Sequence, residues 1–170
     1  IADLKRSIAG MADLVQRSLE LAIDAILEPT VDARERARAF EDQLDKYDSD
    51  IESRCQEILA LQSPMAGDLR MLVSSMRVTM DLESIGDLSE SIAKRASAIA
   101  ARGRVVNPGA LEPLARLSID MVRRSTRVFI AGDADGAKNL VADEKESDRL
   151  TKERSEEHTS ELQSRQYLVC

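Results

Sequence analysis

The stretch MAGDLRMLVSSMRVTMDLESIGDLSESIAKRASAIAA, Met65 to Ala101, reads as one long helix. Ser63-Pro64 sets its start, because proline and the residue before it disfavour a continuing helix. On a wheel of 100° per residue, Val78, Leu82, Ile85, Ile92 and Ile99 fall within about 100° of one another, which predicts the core stripe. Glu83, Asp87 and Glu90 gather within about 60° on another side. Leu69, Leu72 and Met76 share that side one to two turns earlier. The segment DLESIGDLSES, Asp81 to Ser91, holds Asp81, Glu83, Asp87 and Glu90. Like charges one turn apart repel by about 0.2–0.5 kcal/mol per pair, so something must make that tolerable. Gly86 leaves room for a neighbouring helix or a ligand to approach the backbone.

The rest of the chain breaks into helices around this one. The first is expected from about Ala2 to Leu27, ended by Glu28-Pro29-Thr30. The second follows Asp32, which is placed as its N-cap, and runs to about Leu61. Its apolar positions Phe40, Leu44, Tyr47, Ile51, Cys55 and Ile58 step by three and four, the helical spacing. A fourth is expected over Leu111 to Ile130, a turn at Gly132-Asp133, and a fifth from Asp135 to at least Lys152. Long helices with short connections bury their stripes against each other, which predicts an all-α fold of antiparallel three-helix bundles.

An offset of 103 residues pairs Leu14 with Leu117, Ile26 with Phe129, Asp32 with Asp135, Glu41 with Glu144 and Asp45 with Asp148. One register thus aligns apolar and acidic positions, as expected of two copies of one helical unit. Residues 1–102 form the first repeat, 103–109 a linker and 110–153 a second, truncated repeat. The expected third helix of the second repeat would begin near residue 168. RSEEHTSELQS, Arg154 to Ser164, resembles the translation of a short-read sequencing adapter. Residues 154–170 are therefore read as a non-native tail and set aside, as an expression scar would be. The chain begins with Ile1 and is read as a fragment.

Composition narrows the classes. Charged residues make up 32% and hydrophobic ones 43% of the 170 residues, which is not a disordered composition. Aromatics are 2%, so the core must come from Leu, Ile, Val, Met and Ala, which suits helices. The net charge of −7 and the lack of a basic patch argue against nucleic acid. No apolar run approaches membrane-spanning length and no signal peptide is visible, so a soluble, cytoplasmic protein is expected. Cys55 and Cys170 give neither a metal spacing nor a disulfide framework, and Cys55 is expected to pack as a small apolar residue.

Catalytic readings find little support. The single histidine, His158, lies in the set-aside tail, so the Glu-x-x-His pairs of a di-metal carboxylate bundle are missing. There is no nucleophile–base constellation and no phosphate-binding loop. The carboxylates remain. Glu41 and Asp45 on the second helix, Glu83 and Asp87 on the third, and Glu144 and Asp148 on the fifth stand four apart and can converge on a hard or borderline cation. Chance alone gives roughly five such pairs in so acidic a chain, so spacing by itself favours a solvated acidic face.

Gln62 to Ala96 resembles the repeat of the PhoU family of bacterial phosphate-transport regulators. Pro64, Ala66, Asp68, Leu69 and Arg70 match its helix entry. Asp81, Leu82, Glu83, Ile85, Gly86 and Asp87 match its acidic segment, and Ile92 and Ala93 the segment after it. Glu41, Asp42, Leu44, Asp45 and Ile51 match the family's acidic second helix. Ser84 and Ser91 stand where the family has Arg and Asn, and losing the Arg removes a charge that could hold the carboxylates. The resemblance implies tandem three-helix bundles, no enzymatic activity and a usual homodimer. It implies a cytoplasmic regulator that restrains phosphate uptake and the phosphate-starvation response. The implied partners are the ATPase subunit of the phosphate ABC transporter and a sensor histidine kinase, which provide its only link to the membrane. It also implies iron or zinc, with magnesium or manganese as alternatives, at Glu83/Asp87, Glu41/Asp45 and Glu144/Asp148. A metal-free coiled-coil interaction module and a di-metal carboxylate protein are the competing readings.

Overall fold

A computed structural model describes residues 1–167 apart from Pro29 and 104–110, with side chains described as far as residue 153. Most of the expected linker at 103–109 and the side chains of the expected tail at 154–170 lie outside the described residues. Among the described residues five helices follow one another: α1 (Ala2–Leu27), α2 (Ala33–Gln62), α3 (Ala66–Ala100), α4 (Leu111–Ala131) and α5 (Ala134–Tyr167). Each of the first four begins and ends within about two residues of the sequence expectation, the margin at which helix ends are ordinarily defined.

Helices α1, α2 and α3 pack on one another as a three-helix bundle. Their buried positions follow a 3–4 rhythm. On α1 the seam runs through Leu4, Ile8, Met11, Val15, Ser18, Ala22 and Ala25, with Ala12, Leu14 and Leu21 buried beside it, and on α3 through Leu72, Ser75, Thr79, Leu82, Gly86, Ser89, Ala93 and Ala96, with Ser97 beside it. That repeat of seven keeps one seam facing its neighbours along a left-handed supercoil. The α3 seam corrects the wheel. Leu82 is buried as expected, but Val78, Ile85, Ile92 and Ile99 are half-buried beside a line of small residues. Wedged between α1 and α2, α3 buries its smallest side chains and lays its branched ones along the flank. The core therefore tapers, from Leu4, Ile8, Met11, Leu44, Ile51 and Leu72 at one end to Ala25, Ala33 and Ala96 at the other.

Two glycines seat α2. A Cβ on Gly10 of α1 would come within 2.7 Å of the Tyr47 hydroxyl, and one on Gly86 of α3 would run into Leu44. Asp32 stands at the N-cap position of α2, but its side chain makes no capping bond. Ser97 of α3 does that work: its Oγ accepts from the Arg34 amide at 3.1 Å and its hydroxyl donates to the Thr30 carbonyl at 3.1 Å. At the other end Ser63, at φ 42°, closes α2 in the left-handed region before Pro64.

Helix α4 packs on α1, and α5 packs on α4. Lys5 donates to the Ile130 carbonyl at 2.7 Å, placing a cation at the negative end of α4. Arg124 and Asp143 join α4 to α5 at 2.6 Å. Asp133 accepts from the Gly136 amide at 2.9 Å and so caps α5. No described helix is long and apolar enough to cross a membrane.

Candidate functional site

The antiparallel pairing of α2 with α3 sets two acidic rows face to face. Leu44 against Gly86 fixes the register. On α2, the aromatic side with Phe40 and Tyr47 turns to α1, where the Arg17 guanidinium lies 5.4 Å from the Phe40 ring centre. An adjacent flank, with Glu41, Asp45, Asp48 and Glu52, turns to α3. There it meets Glu83, Asp87 and Glu90. The expected pairs Glu41/Asp45 and Glu83/Asp87 thus share one groove.

Their mutual repulsion is visible in their acidity. Burial, then Glu90 and Asp87 across the groove, push the Glu41 carboxyl above its ordinary value. Burial, then Asp87 beside it and Asp48 and Asp45 across the groove, do the same to Glu83. Asp48 is raised by burial, Glu52 and Asp45. Among the described residues no lysine or arginine forms an ion pair with any of these acids; the ion pairs that exist lie on α1, α4 and α5 or between α4 and α5. Nor do three carboxylates, cysteines or histidines converge tightly enough among the described residues to enclose a metal ion. The donors are hard oxygens in excess negative charge, which suits a cation, but their side chains spread along the groove.

Glu144 and Asp148 do not join them. Both are exposed on α5, which among the described residues packs on α4 alone. Cys55 is buried at the apolar end of the bundle, as expected, and its thiol is pushed up by burial and by Glu52. Sequence reasoning had both acidic rows but not their encounter, because the register between two helices is a tertiary fact. It missed Ser97, whose only signal is a small polar residue at the end of an otherwise apolar seam.

Known proteins resemble this chain closely. Residues 8–96 match the model of the PhoU domain. The chain is 31% identical over 150 residues to a phosphate-specific transport system accessory protein PhoU homolog of Aquifex aeolicus, covering 88% of this chain and 68% of that one. Against the homolog of the same name from Pseudomonas aeruginosa it is 27% identical over 152 residues, covering 88% and 62%. The crystal structure of PhoU from Pseudomonas aeruginosa superposes with a TM-score of 0.88 at 26% identity, covering 95% of this chain and 78% of that one. The chain thus spans about two thirds of the length of these relatives. Domain, relatives and superposed structure agree on the helical fold, and the chain belongs to the PhoU family.

Proposed function

We propose that the chain regulates phosphate uptake and the phosphate-starvation response without catalysis, by contact with other proteins. The observation that carries this reading is the match to phosphate-specific transport system accessory proteins over 88% of the chain. In the proposal the contacts are the ATPase subunit of a phosphate ABC transporter and a sensor histidine kinase, the compartment is the cytoplasm and the working unit is a homodimer. Residues 1–102 would be one repeat and 110–153 the start of a second. Expression in a bacterium that lacks its own homolog tests this. Restored repression of a phosphate-starvation reporter in phosphate-rich medium is the expected result, and a reporter that stays fully active overturns it.

The α2/α3 groove adds a metal reading. Glu41, Asp45, Glu83 and Asp87 would hold a cation, iron or zinc or else magnesium or manganese, and the cation would neutralise carboxylates that no protein cation neutralises. Asp45 and Asp87 are exposed and can rotate toward a shared point. Glu144 with Asp148 would form a separate, weaker site. Glu83→Ala/Asp87→Ala is expected to lower the metal content of the purified protein, and unchanged content removes the site. The spread of the acids favours a metal-free interaction module as the second reading. It is upheld if zinc and magnesium leave the melting temperature unchanged, because a ligand of the folded state alone must raise it.

A further inference from the structure

The groove has a second half that the carboxylates do not occupy. Past Glu52, toward the α2–α3 turn, the outward face of α3 carries an apolar stripe, flanked on one side by the exposed Arg70 and Arg77. Leu69, Val73 and Met80 stand there, with Val73 43% and Met80 65% exposed. Spacings of four and seven place them on one stripe, about three turns long. Helix α4 packs on α1 and α5 packs on α4, so no described helix covers it. Where this stripe meets the acids lies a recess of about 150 Å³. Ile51, Thr79, Met76 and Met80 form its apolar part, and Asp48 and Glu52 its acidic edge.

We propose that this groove docks a basic, amphipathic helix of a partner protein. The partner's apolar side chains lie along Leu69, Val73 and Met80, and a lysine or arginine enters the recess with its head on Asp48 and Glu52. The inference rests on the reading that the chain acts through protein contacts. Four features fix the occupant. The stripe has the length and spacing of the face that binds an amphipathic helix through residues three, four and seven apart. Methionine side chains adapt to varied partners. A long cationic side chain lays its alkyl stem on apolar surface while its head stays at a charged edge, which is what the recess offers. The uncompensated acids select a cationic partner and repel nucleic acid and anionic lipid.

The probe is a fluorescein-labelled model peptide with leucines on one helical face and lysines on the flanks, titrated by anisotropy against the full chain. Saturable binding is expected. Val73→Ser/Met80→Ser is expected to weaken it by about tenfold or more, and Asp48→Asn/Glu52→Gln likewise, as removal of central anchors does. A peptide of equal charge with serines for leucines should bind at least about tenfold more weakly. Asp13→Asn/Glu20→Gln, exposed on α1 and away from the groove, should leave affinity unchanged. All substituted side chains are wholly or partly exposed, and circular dichroism reports that the helices persist. Equal binding by the Val73→Ser/Met80→Ser variant or by the serine peptide overturns the proposal and leaves simple charge attraction. Failure here overturns the docking site alone; the phosphate reading falls only with the reporter test.

Discussion

The bundle α1–α3 and the pair α4–α5 bury their apolar side chains to different depths. Among the described residues every buried apolar side chain belongs to α1, α2 or α3, while α4 and α5 contribute only Thr126 to the buried set. Helix α4 covers one flank with α1 and another with α5, and Leu140 of α5 is only half-buried. Two helices bury one flank of each other; a third closes the space between them. The difference follows both helix number and the few large apolar residues of α5, and several substitutions can break or sharpen it.

The largest effect is expected from truncating a closed core. Ile51 is fully buried, so Ile51→Ala should cost about 2–5 kcal/mol in denaturant unfolding. Val141, 50% exposed on α5, should tolerate Val141→Ala within about 0.5 kcal/mol. Hydrogen exchange reads the same contrast without substitution: amides of residues 135–153 should exchange well before those of α3. Protection equal to that of α3 would erase the distinction.

Gly86→Ala comes next. Its Cβ must displace Leu44 in the packed core, and about 1–3 kcal/mol of destabilisation is expected. Gly136→Ala meets the Asp133 carboxylate at the exposed start of α5 and should shift stability by less than about 1 kcal/mol. If the two cost the same, the closed and open regions are packed alike.

Capping offers a smaller, paired test. Ser97→Ala and Asp133→Ala each remove the acceptor of a helix N-terminus, worth about 1 kcal/mol. Ser97 belongs to a different helix from the one it caps, so its loss should lower the unfolding midpoint of the whole bundle. Asp133 caps locally, so its loss should only speed exchange in the first turn of α5.

The smallest effect is a pH slope confined to the bundle. The Glu41, Asp48 and Glu83 carboxyls hold their protons more tightly folded than unfolded. Their protonated forms therefore favour the fold at low pH. That benefit is lost as pH rises through the ordinary carboxylate range and on to the raised folded values. In chelator-containing buffer the melting temperature should carry a falling component as pH rises from about 4, and Glu41→Gln/Glu83→Gln should flatten it. A double variant with an unchanged slope would place the repulsion elsewhere.

Much of this molecule is readable from its residues. Pro64 and Gly132 mark the breaks, and the spacing of Phe40, Leu44, Tyr47, Ile51 and Cys55 already describes α2. The α3 seam was not readable by the same rule. Weighting Val and Ile picks out Ile85 and Ile92, whereas a helix gripped from two sides buries what is small, and Ser75, Ser89 and Ala93 carry little signal except a 3–4 rhythm. The acidic rows were legible one helix at a time. That Glu41 senses Glu90, 49 positions away, depends on the register of α2 against α3.

That register has a mechanical origin in Gly10 and Gly86. Leu44 and Tyr47 lie one turn apart on α2, and each fits a notch on a different neighbour, like a key held in two keyways. Sliding α2 along its axis would drive both side chains against residues that carry a Cβ. Rotating it would free one key only by jamming the other. The charged groove is therefore a fixed-gauge surface. A partner or a cation meets the same spacing of acids each time, and adjustment is left to the side chains at its rim.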